Sequence, residues 1–350
     1  MDFNQIKQFI LKHESRISWA AMLGGFVLDN LTLTRIDLLF DDLILLSYLI
    51  IAAISIILFN YLDENSKIRL FVPYTLQFAF GGLFSGFLIF YSRSGSLLQS
   101  WPFLAILLFL MIGNEVFKER YEKYVFRISI YFIALYSFFT FYIPILLGKM
   151  GALPFILSGI ASILVLALLV YFVERSKRSR AKEKRHKIYI SVITICVIFN
   201  TLYFGNIIPP IPLSLKDIGI YNQLEKRGND YVMQKENVSW YKFKEKNILD
   251  ITTGSNVYAY TAVFAPTKIS QKISHVWLYK NDGKWEEKSR IPFPINGGRG
   301  EGYRGYTYKN TLEEGLWRVE VRTDRDQVIG RKTFTINFVD ELPKQEIYIK

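Results

Sequence analysis

The sequence holds one cysteine, Cys196, and three histidines in 350 residues. A single thiol excludes an intrachain disulfide and a thiolate metal cluster, whatever the redox compartment. Of the histidines only His275 lies beyond Gly205, too few imidazoles for the usual His-built metal centre. Residues 1–16 lack the apolar core and small-residue cleavage site of a signal peptide. The chain is therefore expected to enter a membrane through its own helices and to keep its N-terminus. Paired catalytic carboxylates are also missing: Asp37, Asp41 and Asp42 cluster, but a solvated loop accounts for them.

What the chain has in excess is apolar sequence, 51% of all residues, and its long runs fall before Gly205. A spanning helix needs about 20 mostly apolar residues. Six runs meet this, at 43–62, 70–91, 101–117, 128–147, 154–173 and 188–204. A seventh, 17–36, is interrupted by Asp29 and Asn30. Residues 1–204 are thus expected to form an α-helical polytopic membrane domain of about seven helices. Gly82 and Gly86 form a G-x-x-x-G that permits close helix contact, inside one bundle or between two.

The net charge of +12 invites a nucleic-acid reading, but the positions of the charges oppose it. Short segments between the apolar runs hold the basic residues of the helical part. With a cytoplasmic N-terminus, 17 of the 20 Lys and Arg before Gly205 fall on the cytoplasmic side and 3 (Arg35, Arg93 and Lys149) on the other. Charged short loops resist translocation, so this split predicts an extracytoplasmic C-terminal domain. It also explains the charge without a nucleic-acid partner. The basic run at 175–187 serves as a topology anchor, or as a patch for anionic lipid.

Polar groups within apolar helices are costly and single themselves out. Asp29 is placed about seven residues before the outer end of its run, roughly 10 Å deep at 1.5 Å per residue. Asn30 adjoins it, Arg35 sits near the same end, and Asn200 comes at similar depth from the last helix. Two readings stand: a hydrated pocket around Asp29, or an Asp29–Arg35 ion pair in a kinked helix.

Beyond Phe204 the pattern changes. Pro209, Pro210 and Pro212 predict a stiff spacer, and with a polar, helix-permissive stretch it makes a connecting segment at 205–230. At 231–350 the period becomes two. Strand formers fill 257–264, 275–279, 303–308, 317–322 and 333–338. Turn residues separate them, among them Asn281-Asp282-Gly283 and Asn296-Gly297-Gly298. About seven strands at this spacing predict an all-β sandwich of immunoglobulin-like type.

Within this region lie His275-x-Trp277, Trp285, Pro294 and the Gly297-Gly298-Arg299 turn. Arg304-Gly305-Tyr306-Thr307-Tyr308-Lys309, Gly315-x-Trp317-x-Val319-x-Val321, and Gly330 with Thr333-Phe334-Thr335-Ile336 follow. On these residues the stretch from His275 to Ile336 resembles the C-terminal module of bacterial membrane proteins catalogued as domain of unknown function 2914. The resemblance implies helices first, this module last, and a bacterial cytoplasmic membrane; it implies no activity. The inserted Gly300-Glu301-Gly302 departs from that pattern.

Gly300-x-Gly302-x-x-Gly305 matches a dinucleotide fingerprint literally, but that motif needs a following helix. Tyr306-Thr307-Tyr308 continues as a strand instead, and the glycines are expected to form a hairpin loop. A catalytic triad would have to use His275, which has no nucleophile elbow near it. No cofactor is expected. What remains is a basic and aromatic group, His275, Arg299, Tyr303, Arg304, Tyr306 and Lys309, suited to stacking on sugars and pairing with anions. Trp277 and Trp317 are assigned to the core, His275 and Arg304 to the surface. The expected function is a membrane-anchored binding or scaffold module. Besides the lipid bilayer, its partner would be an envelope glycan, a lipid headgroup or a membrane protein. The alternative is a membrane enzyme or transporter acting on an envelope lipid or glycan precursor.

Overall fold

The computed structural model describes residues 14–33, 38–63, 66, 68–95, 97–116, 123–175, 184–236, 247–267 and 269–350. A helical unit closes at Ile208 and a β-rich unit opens at Pro209.

The described helices are α1 (Glu14–Thr32), α2 (Leu39–Tyr61), α3 (Val72–Arg93), α4 (Leu97–Val116), α5 (Tyr124–Leu147), α6 (Ala152–Glu174) and α7 (Arg185–Phe204). Five of them, α2, α3, α5, α6 and α7, are long and apolar enough to cross a membrane. The apolar part of α4, Gln99–Asn114, is shorter, and α1 does not qualify. The expectation of about seven spans is therefore met by five helices among the described residues. α1 stops at Thr32, four residues short of the run read from the sequence, and the Leu33 amide closes it on Asp29 O at 2.8 Å.

Aromatic packing centres the bundle on α5. The Tyr136 ring stacks on Phe199 of α7 at 4.4 Å and on Phe155 of α6 at 5.6 Å. Phe141 meets Phe87 and Phe90 of α3 edge-on. Small residues let the backbones approach. A Cβ on Gly82 would stand 2.6 Å from the Tyr48 ring, and one on Gly86 2.6 Å from Leu45, both on α2. The G-x-x-x-G is thus consumed inside the bundle. Outward positions such as Ile50, Phe78, Leu164 and Val197 stay exposed and apolar, the surface a hydrocarbon environment requires.

The β unit has three sheets. The first has the order β1 (Ser214–Tyr221), β5 (Val257–Phe264), β8 (Tyr303–Lys309). The second runs β4 (Ile248–Ile251), β10 (Val328–Phe338), β9 (Gly315–Thr323), β6 (Ser270–Asn281), β7 (Lys284–Asn296). The third is β11 (Gln345–Ile349), β3 (Asp230–Glu236), β2 (Gln223–Arg227). Pairing is antiparallel except between β4 and β10.

Strand structure thus begins at Ser214, and the polar stretch to Asp230 is β1 and β2 rather than a connecting segment. Residues 209–213 form tight turns, with Ile211 N bonded to Pro209 O at 2.8 Å and Leu213 N to Pro210 O at 3.0 Å. The Asn281-Asp282-Gly283 turn is as read: Asp282 and Gly283 both have positive φ, 47° and 81°, as a tight hairpin between β6 and β7 demands. The glycine segment after Asn296 is not a hairpin loop. It carries the chain from β7 in the second sheet to β8 in the first, and a Cβ on Gly297 would collide with Pro266 O at 1.7 Å.

The first sheet is the middle layer. From β1 and β5, Ile220, Val257 and Ala259 share one core with Leu249, Trp277, Trp317, Val319, Phe334 and Ile336 of the second sheet. On the opposite side Tyr221, Tyr260 and Ala262 pack with Leu224, Tyr231 and Met233 of the third. Trp277 and Trp317 are fully buried, as assigned.

His275, assigned to the surface, is completely buried. Period two on β6 places it on the inward face with Ile273 and Trp277. Its Nε2 lies 2.8 Å from Thr261 Oγ1 of β5, and its Nδ1 lies 2.9 Å from Thr307 Oγ1 of β8. Trp277 Nε1 donates to the same Thr307 oxygen at 3.3 Å. A neutral imidazole donates once and accepts once, so two hydroxyls satisfy it. Burial pushes its pKa down to about 3, so the ring stays neutral in this polar link between two sheets.

Both cores are closed by strands of the β unit, so Pro209–Lys350 is expected to fold alone, with β-type circular dichroism and cooperative unfolding. An insoluble or disordered product would contradict this. His275 is the only histidine of that segment. Its folded pKa lies below the unfolded value near 6.5. The unfolded chain therefore binds the extra proton, and the stability is complete above that pH and lost as pH falls toward 3. Urea midpoints are expected to drop between pH 7 and 5, as the unfolding free energy falls with a slope approaching about 1.4 kcal/mol per pH unit at the acid end. His275→Gln is expected to flatten this dependence.

Candidate functional site

A cavity of about 350 Å3 opens in the β unit beside the third sheet. Asn222, Gln223, Glu225 and Gln234 approach from β2, β3 and the bend before them, Ser255, Asn256 and Tyr258 from the turn into β5 and its start. Leu224 and Ile251 supply apolar surface. The bend at Asn222 is fixed by its own hydrogen bonds. The Asn222 amide donates to Gln234 O at 2.9 Å, and Nδ2 donates to Asp250 O at 2.6 Å. This ties the β1–β2 junction to β3 and β4. Among the described residues Asn222 Oδ1 is left buried with no hydrogen-bond partner. Such an acceptor is costly unless something supplies a donor. At the other wall Thr252 Oγ1 and Ser255 Oγ share a hydrogen bond of 2.6 Å. On the rim Arg227 pairs with Glu225 at 2.9 Å, so each offsets the other's charge. Amides, a hydroxyl and one tyrosine ring suit a neutral ligand rich in hydroxyl groups.

Of the basic and aromatic group singled out in the sequence, Arg299, Tyr303, Arg304 and Tyr306 gather about Tyr231 of β3, near enough to act on its hydroxyl electrostatically. His275 lies in the core. Arg304, Tyr306 and Tyr308 face the third sheet's side, where Tyr306 meets Tyr231 at 6.1 Å and Tyr258 at 6.3 Å. Tyr231 donates to Arg304 O at 3.2 Å, and Arg304 Nη1 donates to Asn229 O at 3.4 Å. Arg299 stands 5.6 Å from the centre of the Tyr303 ring, and Lys309 lies at the other end of β8. Tyr258, which touches both Tyr306 and Tyr308, is the link between this aromatic face and the cavity. The amides Asn222, Gln223, Gln234 and Asn256 were missed in the sequence. The only signal was their density in a stretch with no apolar period.

In the helical unit the polar residues separate. Asp29 accepts a hydrogen bond from Ser85 Oγ at 2.6 Å. Arg93 Nη2 donates to Asn30 Oδ1 at 2.8 Å, and Nη1 donates to Leu33 O at 2.6 Å, which caps the end of α1. Asn200 donates to Cys196 O at 2.8 Å and to Tyr136 Oη at 3.4 Å; its partners lie on α7 and α5. Arg35 lies outside the described residues. The described residues hold no cluster able to bind a metal ion.

No curated protein matches the chain significantly. Among solved structures, an immunoglobulin-like protein from Pseudomonas aeruginosa is 10% identical, over 35% of this chain and 97% of its own, with a TM-score of 0.20. A β-glucosidase from Listeria innocua in complex with glucose is 12% identical over 35% of this chain. The chain spans 16% of that enzyme, at a TM-score of 0.19. The alkylpurine DNA glycosylase AlkC from Pseudomonas fluorescens is 7% identical over 85% of this chain and 98% of its own, at a TM-score of 0.20. Likeness this slight bears on neither fold nor function. The family comparison agrees with the resemblance read from the sequence: residues 270–336, from β6 into β10, match the family described as Protein of unknown function (DUF2914).

Proposed function

We propose that this is a multi-pass protein of the bacterial cytoplasmic membrane whose β unit lies outside the cytoplasm and binds a hydroxyl-rich envelope component, a glycan. The helices anchor it, and α1 and α4 join the five long apolar helices as spans. The observation that carries the binding reading is the amide-lined cavity with the buried, unpartnered Asn222 Oδ1. The immunoglobulin-like reading has support in strand order. A three-stranded sheet β1-β5-β8 faces a five-stranded one in which β4 runs parallel to β10, and a buried tryptophan, Trp277, sits in the core on β6. The hairpin β2–β3 and strand β11 are then additions to that sandwich, and the cavity lies between the hairpin and the turn into β5. A second reading, a transporter or enzyme acting on an envelope lipid or glycan precursor, draws support from a cavity of about 240 Å3 in the helical unit, lined by Asp29, Tyr48 and Ser85 among others.

The charge split sets the first test. A reporter active only outside the cytoplasm is expected to be active when fused after Lys350 and silent when fused after Arg185. The reverse pattern rejects the orientation. For binding, the full-length protein is expected to retain neutral oligosaccharides released from the cell envelope. Asn256→Ala and Tyr258→Ala are each expected to weaken retention about tenfold, while Lys309→Ala, away from the cavity, leaves it unchanged. Equal retention by all three variants would reject the site.

A further inference from the structure

The helical unit holds a cavity of about 240 Å3 between α1, α2, α3 and α4 that the β-unit reading does not use. One acid, Asp29, lines it. Its hydrogen bond comes from a neutral hydroxyl, Ser85, and no lysine or arginine among the described residues pairs with it. Arg93 is directed to the carbonyls of Asn30 and Leu33. A carboxylate among apolar helices without a cation is expensive, and a cationic ligand offsets that cost.

The rest of the lining narrows the kind of cation. Tyr48 and Phe78 meet edge-to-face with centres 5.6 Å apart, and Phe26 and Tyr74 add further rings. Ring faces attract organic ammonium groups, whereas a bare metal ion needs a shell of oxygen ligands. The space is built rather than incidental. Gly81 and Gly82 let two of the lining side chains close on α3: a Cβ on Gly81 would stand 3.3 Å from Asn114 Nδ2, and one on Gly82 2.6 Å from the Tyr48 ring. Phe78 and Tyr74 at its rim are 64% and 60% exposed, on the outward surface of α3 where acyl chains would lie. The volume suits a headgroup and excludes a folded partner.

We propose that this cavity binds an organic ammonium group, that of an amine-bearing lipid headgroup or of a free primary amine, with Asp29 as its counter-ion and Tyr48 as its aromatic contact. The inference is independent of the glycan reading of the β unit.

The test uses the full-length protein, stripped of lipid in detergent and analysed by native mass spectrometry. The probes are phosphatidylethanolamine, its N-acetylated form, phosphatidylglycerol and ethanolamine. Phosphatidylethanolamine is expected to be retained about tenfold more than the N-acetylated form or phosphatidylglycerol. Asp29→Asn, nearly isosteric, is expected to abolish that preference, and Tyr48→Leu to reduce it. Displacement by ethanolamine would support the site and assign it to free amines; resistance to displacement would support it with the lipid as source. Equal retention of the acetylated lipid, or an undiminished preference in Asp29→Asn, overturns the proposal. If Asp29→Asn fails to fold, the Tyr48→Leu comparison and the acetylated probe decide it.

Discussion

Strand β5 is buried on both faces, and this double burial constrains the whole β unit. Its odd positions, Val257, Ala259, Thr261 and Val263, look toward the second sheet, and its even ones, Tyr258, Tyr260 and Ala262, toward the third. A half-covered middle sheet would leave a row of tyrosines in water on one side or a row of aliphatic groups on the other. The hairpin β2–β3 and strand β11 supply the missing cover, so they complete a core as well as bearing a cavity. The same constraint explains why a histidine can sit between two layers. Thr261 and Thr307 present hydroxyls from the middle sheet where the imidazole arrives from β6, and each polar atom finds a partner without water.

The helical unit obeys a related rule with different means. Between its apolar helices, polar side chains must turn to backbone carbonyls or to one another. Ser158 donates to Phe139 O and Pro154 O, Asn114 donates to Gln77 O, and Arg93 closes the end of α1. Against that pattern Asp29 stands out for being satisfied by a single neutral hydroxyl.

Features set by local chemistry were legible in the sequence. Asp282-Gly283 specified its turn because few residues tolerate two successive positive φ angles. Trp317 declared itself core by alternation with Arg318 and Glu320, and Trp277 by its place on the same face of β6 as Ile273. The burial of His275 was equally implied by that alternation, since it shares parity with Trp277; its polarity outweighed its position in the reading. Strands β1 to β3 were not legible, because Lys, Gln and Glu interrupt their apolar pattern and only β2 and β3 pair locally. β1 pairs with β5, and β3 with β11. β7 was hidden by Pro292 and Pro294, which an edge strand tolerates. The Asp29–Ser85 contact joins residues on different helices, and no spacing rule along one helix reaches it. Of the candidate surface group, His275 was displaced into the core by its parity on β6, while Arg299, Tyr303, Arg304 and Tyr306 lie around Tyr231.

The parallel pairing of β4 with β10 has a kinetic meaning. Ile248 lies opposite Thr335, and Ile251 opposite Phe338, so the two edges of one ladder are separated by most of the domain's chain. Closing so large a loop costs entropy that local pairings do not, while β6 and β7 need only a two-residue turn. On loop-closure entropy the hairpin is expected to form early, with β9 and β10 extending the same sheet before β4 docks. Until that last strand arrives, one edge of β10 stands open with unpaired amides and carbonyls. The interval between hairpin closure and β4 docking is therefore when this domain is most exposed to pairing with the wrong chain.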